Sequence, residues 1–148
     1  MTDADYMILA LEEARLAFRK GEVPVGAVVV RDGEILSRAH NLREASRDSS
    51  AHAEILALRA AAWASDSWRI LNATLYVTKE PCIMCAGALV NSRISRLVYG
   101  CKDDKAGGVE SLYRIPTDKR LNHQIDVVSG VLGEESAEML KSFFKARR

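Results

Sequence analysis

The sequence predicts a single three-layer α/β/α domain around a central five-stranded mixed sheet. Its 148 residues match the size of one domain. Strand-like and helix-like runs alternate through the middle of the chain, a pattern that lays down parallel strands with helices on both faces. Asp32-Gly33 sits between two β-like runs and signals a hairpin, so the first strand pair is antiparallel and the sheet is mixed.

Residues 6–20 read as a helix. Ile8, Leu9, Leu11, Ala14, Leu16 and Phe18 fill an apolar stripe, and Gly21 is a natural stop. Glu12 and Glu13 lie early and Arg19 and Lys20 late, as the helix dipole favours. Residues 23–30 are almost wholly apolar, the mark of a strand covered on both faces, with Pro24 expected at its start. Residues 35–39 return. Residues 41–50 are polar and aperiodic, a loop. An alanine-rich helix follows over 51–64, with Ser49 or Ser50 as its expected cap. Residues 73–78 form a strand, 82–91 a helix that Pro81 can open, and 96–100 another strand. Gly107-Gly108 and Pro116 break any long element between 101 and 120, leaving room there for only a short helix. A short strand over 125–128 precedes an amphipathic helix over 134–147, with Met139, Leu140, Phe143 and Phe144 on or near its apolar side.

A hydrophobic fraction of 48% supplies a core and a charged fraction of 28% a solvated surface. No apolar run approaches the roughly 20 residues that cross a bilayer. The first five residues are acidic and no signal-peptide pattern follows, so the expected location is cytoplasmic, with no membrane partner. The net charge of +1 neither signals nucleic-acid binding nor excludes a local basic patch. Three cysteines, an odd number, argue against a secreted disulfide framework. Cys101 ends an apolar run and reads as a buried thiol.

Two short segments concentrate the chemistry: His52-Ala53-Glu54 and Pro81-Cys82-Ile83-Met84-Cys85. Two thiolates and an imidazole select zinc over magnesium or calcium. His52, Cys82 and Cys85 make three ligands, which leaves a fourth position for water, as catalytic zinc requires. Zinc lowers the pKa of such a water from about 15.7 toward 7. Glu54 is then the proton carrier rather than a ligand. Cys82 and Cys85 are expected in the first turn of a helix, where the dipole favours thiolates. Residues two apart do not share a helix face, so His52 and Glu54 reach one site only from the very start of their helix.

His-x-Glu followed by Pro-Cys-x-x-Cys is the spacing of the zinc deaminases. On these motifs the chain resembles the cytidine deaminase-like superfamily, and within it the bacterial tRNA adenosine deaminases. The resemblance runs through residues 23–28, Asn41, residues 51–54, 74–78, 80–88 and 92–94, Leu121-Asn122-His123 and the ending from Phe143. It implies hydrolysis of adenosine to inosine at wobble position 34 of a tRNA anticodon stem-loop, by a homodimer with one Zn2+ per subunit. Glu54 would carry protons from water to the base and to the departing amine. Asn41, Ala53 and His123 would face the substrate. Among the basic residues of the second half (Lys102, Lys105, Lys119, Arg120, Lys145, Arg147 and Arg148), Lys105 and Arg147 are taken as RNA contacts, with Phe144 pressing on a nucleotide. The chain departs from the family pattern at Lys79, at residues 47–50 and at 107–111, none of them in the ligand set. Three competing readings remain at this level. They are a deaminase of free guanine, cytosine or a nucleoside, a noncatalytic zinc-stabilised interaction protein, and a thiol redox protein using Cys82 and Cys85.

Overall fold

A computed structural model describes residues 1–147, so Arg148 lies outside the described residues. The elements are α1 (Asp3–Arg19), β1 (Gly26–Arg31), β2 (Glu34–His40), α2 (Ala53–Ser65), β3 (Thr74–Lys79), α3 (Ile83–Asn91), β4 (Arg96–Cys101), β5 (Asp126–Val128) and α4 (Gly133–Lys145). The sheet order is β2-β1-β3-β4-β5. β1 runs antiparallel to β2 and β3, while β3, β4 and β5 are parallel, so the five-stranded mixed sheet is as expected.

Local chemistry accounts for the places where the element bounds differ from expectation. α1 starts three residues early because Thr2 caps it. The Thr2 hydroxyl accepts from the Asp5 N–H at 3.2 Å, and the Thr2 N–H donates to the Asp5 carboxylate at 2.8 Å. Residues 23–25 stay outside the sheet, so Pro24 precedes the strand instead of opening it. Asp32 and Gly33 both take positive φ (49° and 77°), the backbone of a tight β-hairpin turn. Ser50 does not cap α2. Its hydroxyl is spent on Asp48 at 2.7 Å, and the N-cap is His52. The short helix allowed between 101 and 120 does not form, because that segment folds into turns.

Strand alternation splits the core into two faces. Ala27, Val29, Leu75, Val77, Leu97 and Tyr99 pack with α2 and α3. Val28, Val30, Tyr76 and Val98 pack with α1. Phe18 and Phe143 meet edge to face with centroids 5.6 Å apart, holding α4 beside α1. Among the described residues no helix is long and apolar enough to cross a membrane.

Strand register sets where the functional residues gather. His40 pairs with Gly26, Ala27 with Val77, and Lys79 with Cys101. One end of the sheet therefore carries the start of β1 and the ends of β2, β3 and β4. Asn41, the start of α3 and the loop after Cys101 all issue from that end.

Candidate active site

Both chemistry-bearing segments are helix starts at this end of the sheet. His52 is the N-cap of α2, with extended φ and ψ of −76° and 153°. Cys82 is the N-cap of α3, with −73° and 178°. The i,i+2 difficulty at His52 and Glu54 disappears, because His52 is not yet helical and is free of the 100° rotation per residue. Cys82 likewise sits one residue before the helix, and Cys85 is its third helical residue. Neither helix start has a side-chain cap hydrogen bond, and the positive end of each helix dipole lies beside the donor group.

The three donor atoms lie within 4.8 Å of one another. His52 Nδ1 is 3.6 Å from Cys82 Sγ and 3.5 Å from Cys85 Sγ. Tetrahedral bonds of about 2.0–2.1 Å to nitrogen and about 2.3 Å to sulfur put N and S roughly 3.6 Å apart. Both nitrogen–sulfur separations therefore match tetrahedral coordination of one metal ion. Cys101 is half-buried and is not part of the group.

The electrostatics point the same way. The Cys82 thiol is pulled down to about 4, first by the Cys85 thiol, against burial, and then by His52. Cys85 moves up beside the Cys82 thiolate, helped by burial and by Glu54. Two adjacent thiolates are thus disfavoured until a cation joins them. His52 is pushed up, chiefly by Cys82. Glu54 is 4% exposed, and burial drives its carboxyl above the usual range. It lies outside the ligand group yet lines the adjoining cavity.

That cavity has a volume of about 290 Å³, near the lower end for small-ligand pockets. His52, Ala53, Glu54 and Cys82 form its floor, and Val23, Val25, Asn41 and Arg43 line it from the loops beside β1 and β2. Asn41 is 6% exposed and already tied. Its amide donates to the Val23 carbonyl at 3.2 Å, and its Oδ1 accepts from the Arg43 N–H at 3.1 Å. Asn41 thus makes the local turn bond expected of it and also lines the cavity.

A second, larger groove of about 750 Å³ shares Lys79, Asp103, Ala106 and Phe144 with the first cavity. It adds Lys102, Asp104, Lys105, Leu140 and Arg147. Three residues singled out from sequence thus meet in one groove: Lys105, Phe144 and Arg147. Phe143 is buried and Phe144 is 47% exposed, so the pair divides between core and groove. The Arg147 guanidinium lies 3.7 Å from the Phe143 ring centroid, anchored as a cation–π pair. His123 lines neither cavity and hydrogen-bonds through Nε2 to the Ile94 carbonyl at 2.7 Å.

Sequence reasoning missed two buried carboxylates that shape the cavity walls. Glu22 is 1% exposed and accepts from the N–H groups of Glu44 and Ala45 at 2.9 and 2.7 Å, holding the loop that carries Asn41 and Arg43. Glu80 is 2% exposed and accepts from four backbone N–H groups and one hydroxyl of residues 103–111. Burial alone would raise the Glu80 pKa. Hydrogen bonds from the Ser111 hydroxyl and from backbone N–H groups win, lowering it to about 2. The available signal was glycine. A side chain at Gly107 would collide with the Glu80 carboxylate, which explains the small residue there.

Comparisons with known proteins agree with this geometry. The chain is 52% identical to the tRNA-specific adenosine deaminase of Bacillus subtilis over 146 residues, 99% of this chain and 91% of that one. It is 48% identical to the tRNA-specific adenosine deaminase of Haemophilus influenzae over 147 residues, 99% and 85% of the two chains. A solved tRNA:A34 deaminase, studied for A-to-I editing at the wobble position, superposes with a TM-score of 0.88 at 47% identity, covering 91% of this chain and 98% of that one. The guanine deaminase of Nitrosomonas europaea superposes with a TM-score of 0.78 at 25% identity, covering 95% and 83%. Residues 1–148 match the MafB19-like deaminases throughout, and the chain belongs to that family.

Proposed function

We propose that this chain is a zinc-dependent hydrolytic deaminase that converts adenosine to inosine at wobble position 34 of a tRNA anticodon. The observation that carries the chemistry is the three-donor group at 3.5 and 3.6 Å spacing beside the buried carboxyl of Glu54, at the floor of a cavity. Support for the substrate comes from the adjoining groove with Lys79, Lys102, Lys105 and Arg147, and from the two tRNA-specific relatives.

His52, Cys82 and Cys85 would hold zinc, which would supply Lewis acidity toward a water near neutral pH. Glu54 takes a proton from the attacking water as its oxygen bonds to C6 of the adenine ring, and delivers that proton to N1. It then takes the proton of the new C6 hydroxyl and passes it to the C6 amine, so that the C6–N bond breaks, ammonia leaves and a C6 carbonyl remains. Its raised pKa suits a group that must both accept and return protons. Ala53 offers a first-turn N–H to the base, and Asn41 holds the base or its ribose. The flanking nucleotides pass into the groove, where Phe144 offers a stacking face and Lys105 and Arg147 meet phosphates. A loop nucleotide is the cheapest to insert because little stacking is broken. A homodimer with one zinc per subunit completes the reading. The exposed Trp63 and Trp68 (85% and 57%) are side chains a partner would cover.

Ammonia release from a zinc-loaded protein tests the reading. The substrates are an anticodon stem-loop with adenosine at 34, the same loop with guanosine there, free adenosine, guanine and cytosine. Release from the adenosine loop alone is expected. Release from free guanine alone would replace this function with that of the more distant structural neighbour.

A further inference from the structure

We propose that Glu80 is a positioning residue that governs how tightly RNA beside the reactive adenosine is held, by clamping residues 103–111 onto the start of α3. The inference rests on the function proposed above and deepens it. Glu80 touches neither the ligand group nor any reacting atom in the proposed chemistry, yet its side chain is the most heavily hydrogen-bonded in the site.

One carboxylate oxygen accepts from the Asp103 N–H at 3.0 Å and the Ser111 hydroxyl at 2.5 Å. The other accepts from the N–H groups of Val109, Glu110 and Ser111 at 3.2, 2.9 and 3.0 Å. Both ends of one loop thus converge on a single buried anion. The middle of the loop is laced to the metal-ligand segment. Cys82 and Gly107 form an isolated antiparallel bridge, and the Gly108 N–H donates to the Pro81 carbonyl at 2.8 Å. Gly108 lets this happen, since a Cβ there would stand 2.9 Å from the Ile83 nitrogen.

The clamped loop is the wall shared by the two cavities. Asp103 and Ala106 line both, and Lys105 lines the groove. Lys79 reaches the same loop through an ion pair with Asp103 at 3.0 Å. Loosening the loop therefore blurs the passage from the base cavity to the flanking groove. The metal ligands keep their own anchors at the starts of α2 and α3.

Glu80→Gln keeps the shape but removes one acceptor. With its oxygen facing the three N–H groups, its NH2 faces the Asp103 N–H, and that bond is lost. Ser111→Ala removes the hydroxyl that donates to the same oxygen as the Asp103 N–H. Three readouts on the zinc-loaded protein test the clamp: metal content, kcat and KM on the anticodon stem-loop, and amide hydrogen exchange of residues 103–111. Both variants should retain metal and exchange faster over 103–111. KM should rise about three- to tenfold in both variants, the fold-change of one typical lost intramolecular hydrogen bond. The rise in KM should exceed any fall in kcat. Unchanged exchange and KM in Ser111→Ala overturns the proposal, even where Glu80→Gln fails to fold. So does loss of metal in step with activity, or a fall in kcat at constant KM. Wild-type protein inactive on the stem-loop would instead overturn the substrate assignment, and exchange over 103–111 would still judge the clamp.

Discussion

Glu54 and His52 sit two residues apart and do different work because of where the helix begins. His52, as N-cap, turns Nδ1 toward two sulfurs, while Glu54, inside the first turn, is buried without joining them. Removing each should separate the two roles. Glu54→Gln should keep full metal content and lose about 10³-fold in kcat, the scale of a lost general acid–base group. His52→Ala and Cys82→Ser should lose metal and turnover together, since two remaining donors hold the ion poorly. Elemental analysis and turnover on the same preparations check both. An active Glu54→Gln protein would remove the carboxylate from the mechanism.

At the scale of elements, α1 is fastened to the sheet at its first residue. Arg96 makes two bonds to the Asp3 carboxylate at 2.8 and 2.6 Å, and the Tyr76 hydroxyl donates to it at 2.8 Å. Arg96 is the leading reason the Asp3 carboxyl is held below its usual range. Between the folded and unfolded pKa values the unfolded chain binds more protons, so stability rises with pH through that window. The contribution is complete above about 3.9 and is lost as pH falls through the lower folded value. Asp3→Asn should therefore cost about 1 kcal/mol at pH 7, a figure reduced for solvent screening of a partly exposed pair. Its difference from wild type should close in acid, as pH falls through that lowered value. Urea unfolding at neutral and at acid pH reads this. The other end of α1's face meets β1 where Gly26 packs on it, and a Cβ there would stand 2.6 Å from the Ala14 nitrogen. Gly26→Ala should destabilise by about 2–3 kcal/mol through forced separation of helix and strand, measurable as a lowered urea midpoint at unchanged slope.

For the whole molecule, a net charge of +1 conceals a local asymmetry. The flanking groove gathers Lys79, Lys102, Lys105 and Arg147 against Asp103 and Asp104, four cations to two anions. Stem-loop binding should weaken steadily with salt as counterions rebind to the phosphates. Lys105→Ala should lower affinity and reduce the log–log salt slope by about 0.7, the single-strand increment for one phosphate contact. Titrations by fluorescence anisotropy at several salt concentrations check the slope. An unchanged slope would take Lys105 off the RNA path.

The donor types that meet at the site, the hairpin and the alternation of elements were legible in the residues because each depends on local chemistry. Thiols three apart, Asp-Gly in a turn and an unbroken apolar run along β1 need no distant partner to be read. Convergence of His52 and Cys82 was not legible in that way, since it depends on β1 lying antiparallel between β2 and β3. That arrangement brings the ends of β2 and β3 to the same side of the sheet. The roles of Glu22 and Glu80 were hidden for the same reason: an isolated glutamate reads as surface charge until backbone donors from distant loops surround it. His123, similar in sequence to a substrate-facing position, is directed by the fold to the Ile94 carbonyl. The sequence by itself determined which chemistry this protein carries. The tertiary structure decided how the site is walled, because loops fold around buried charges that no local pattern can place.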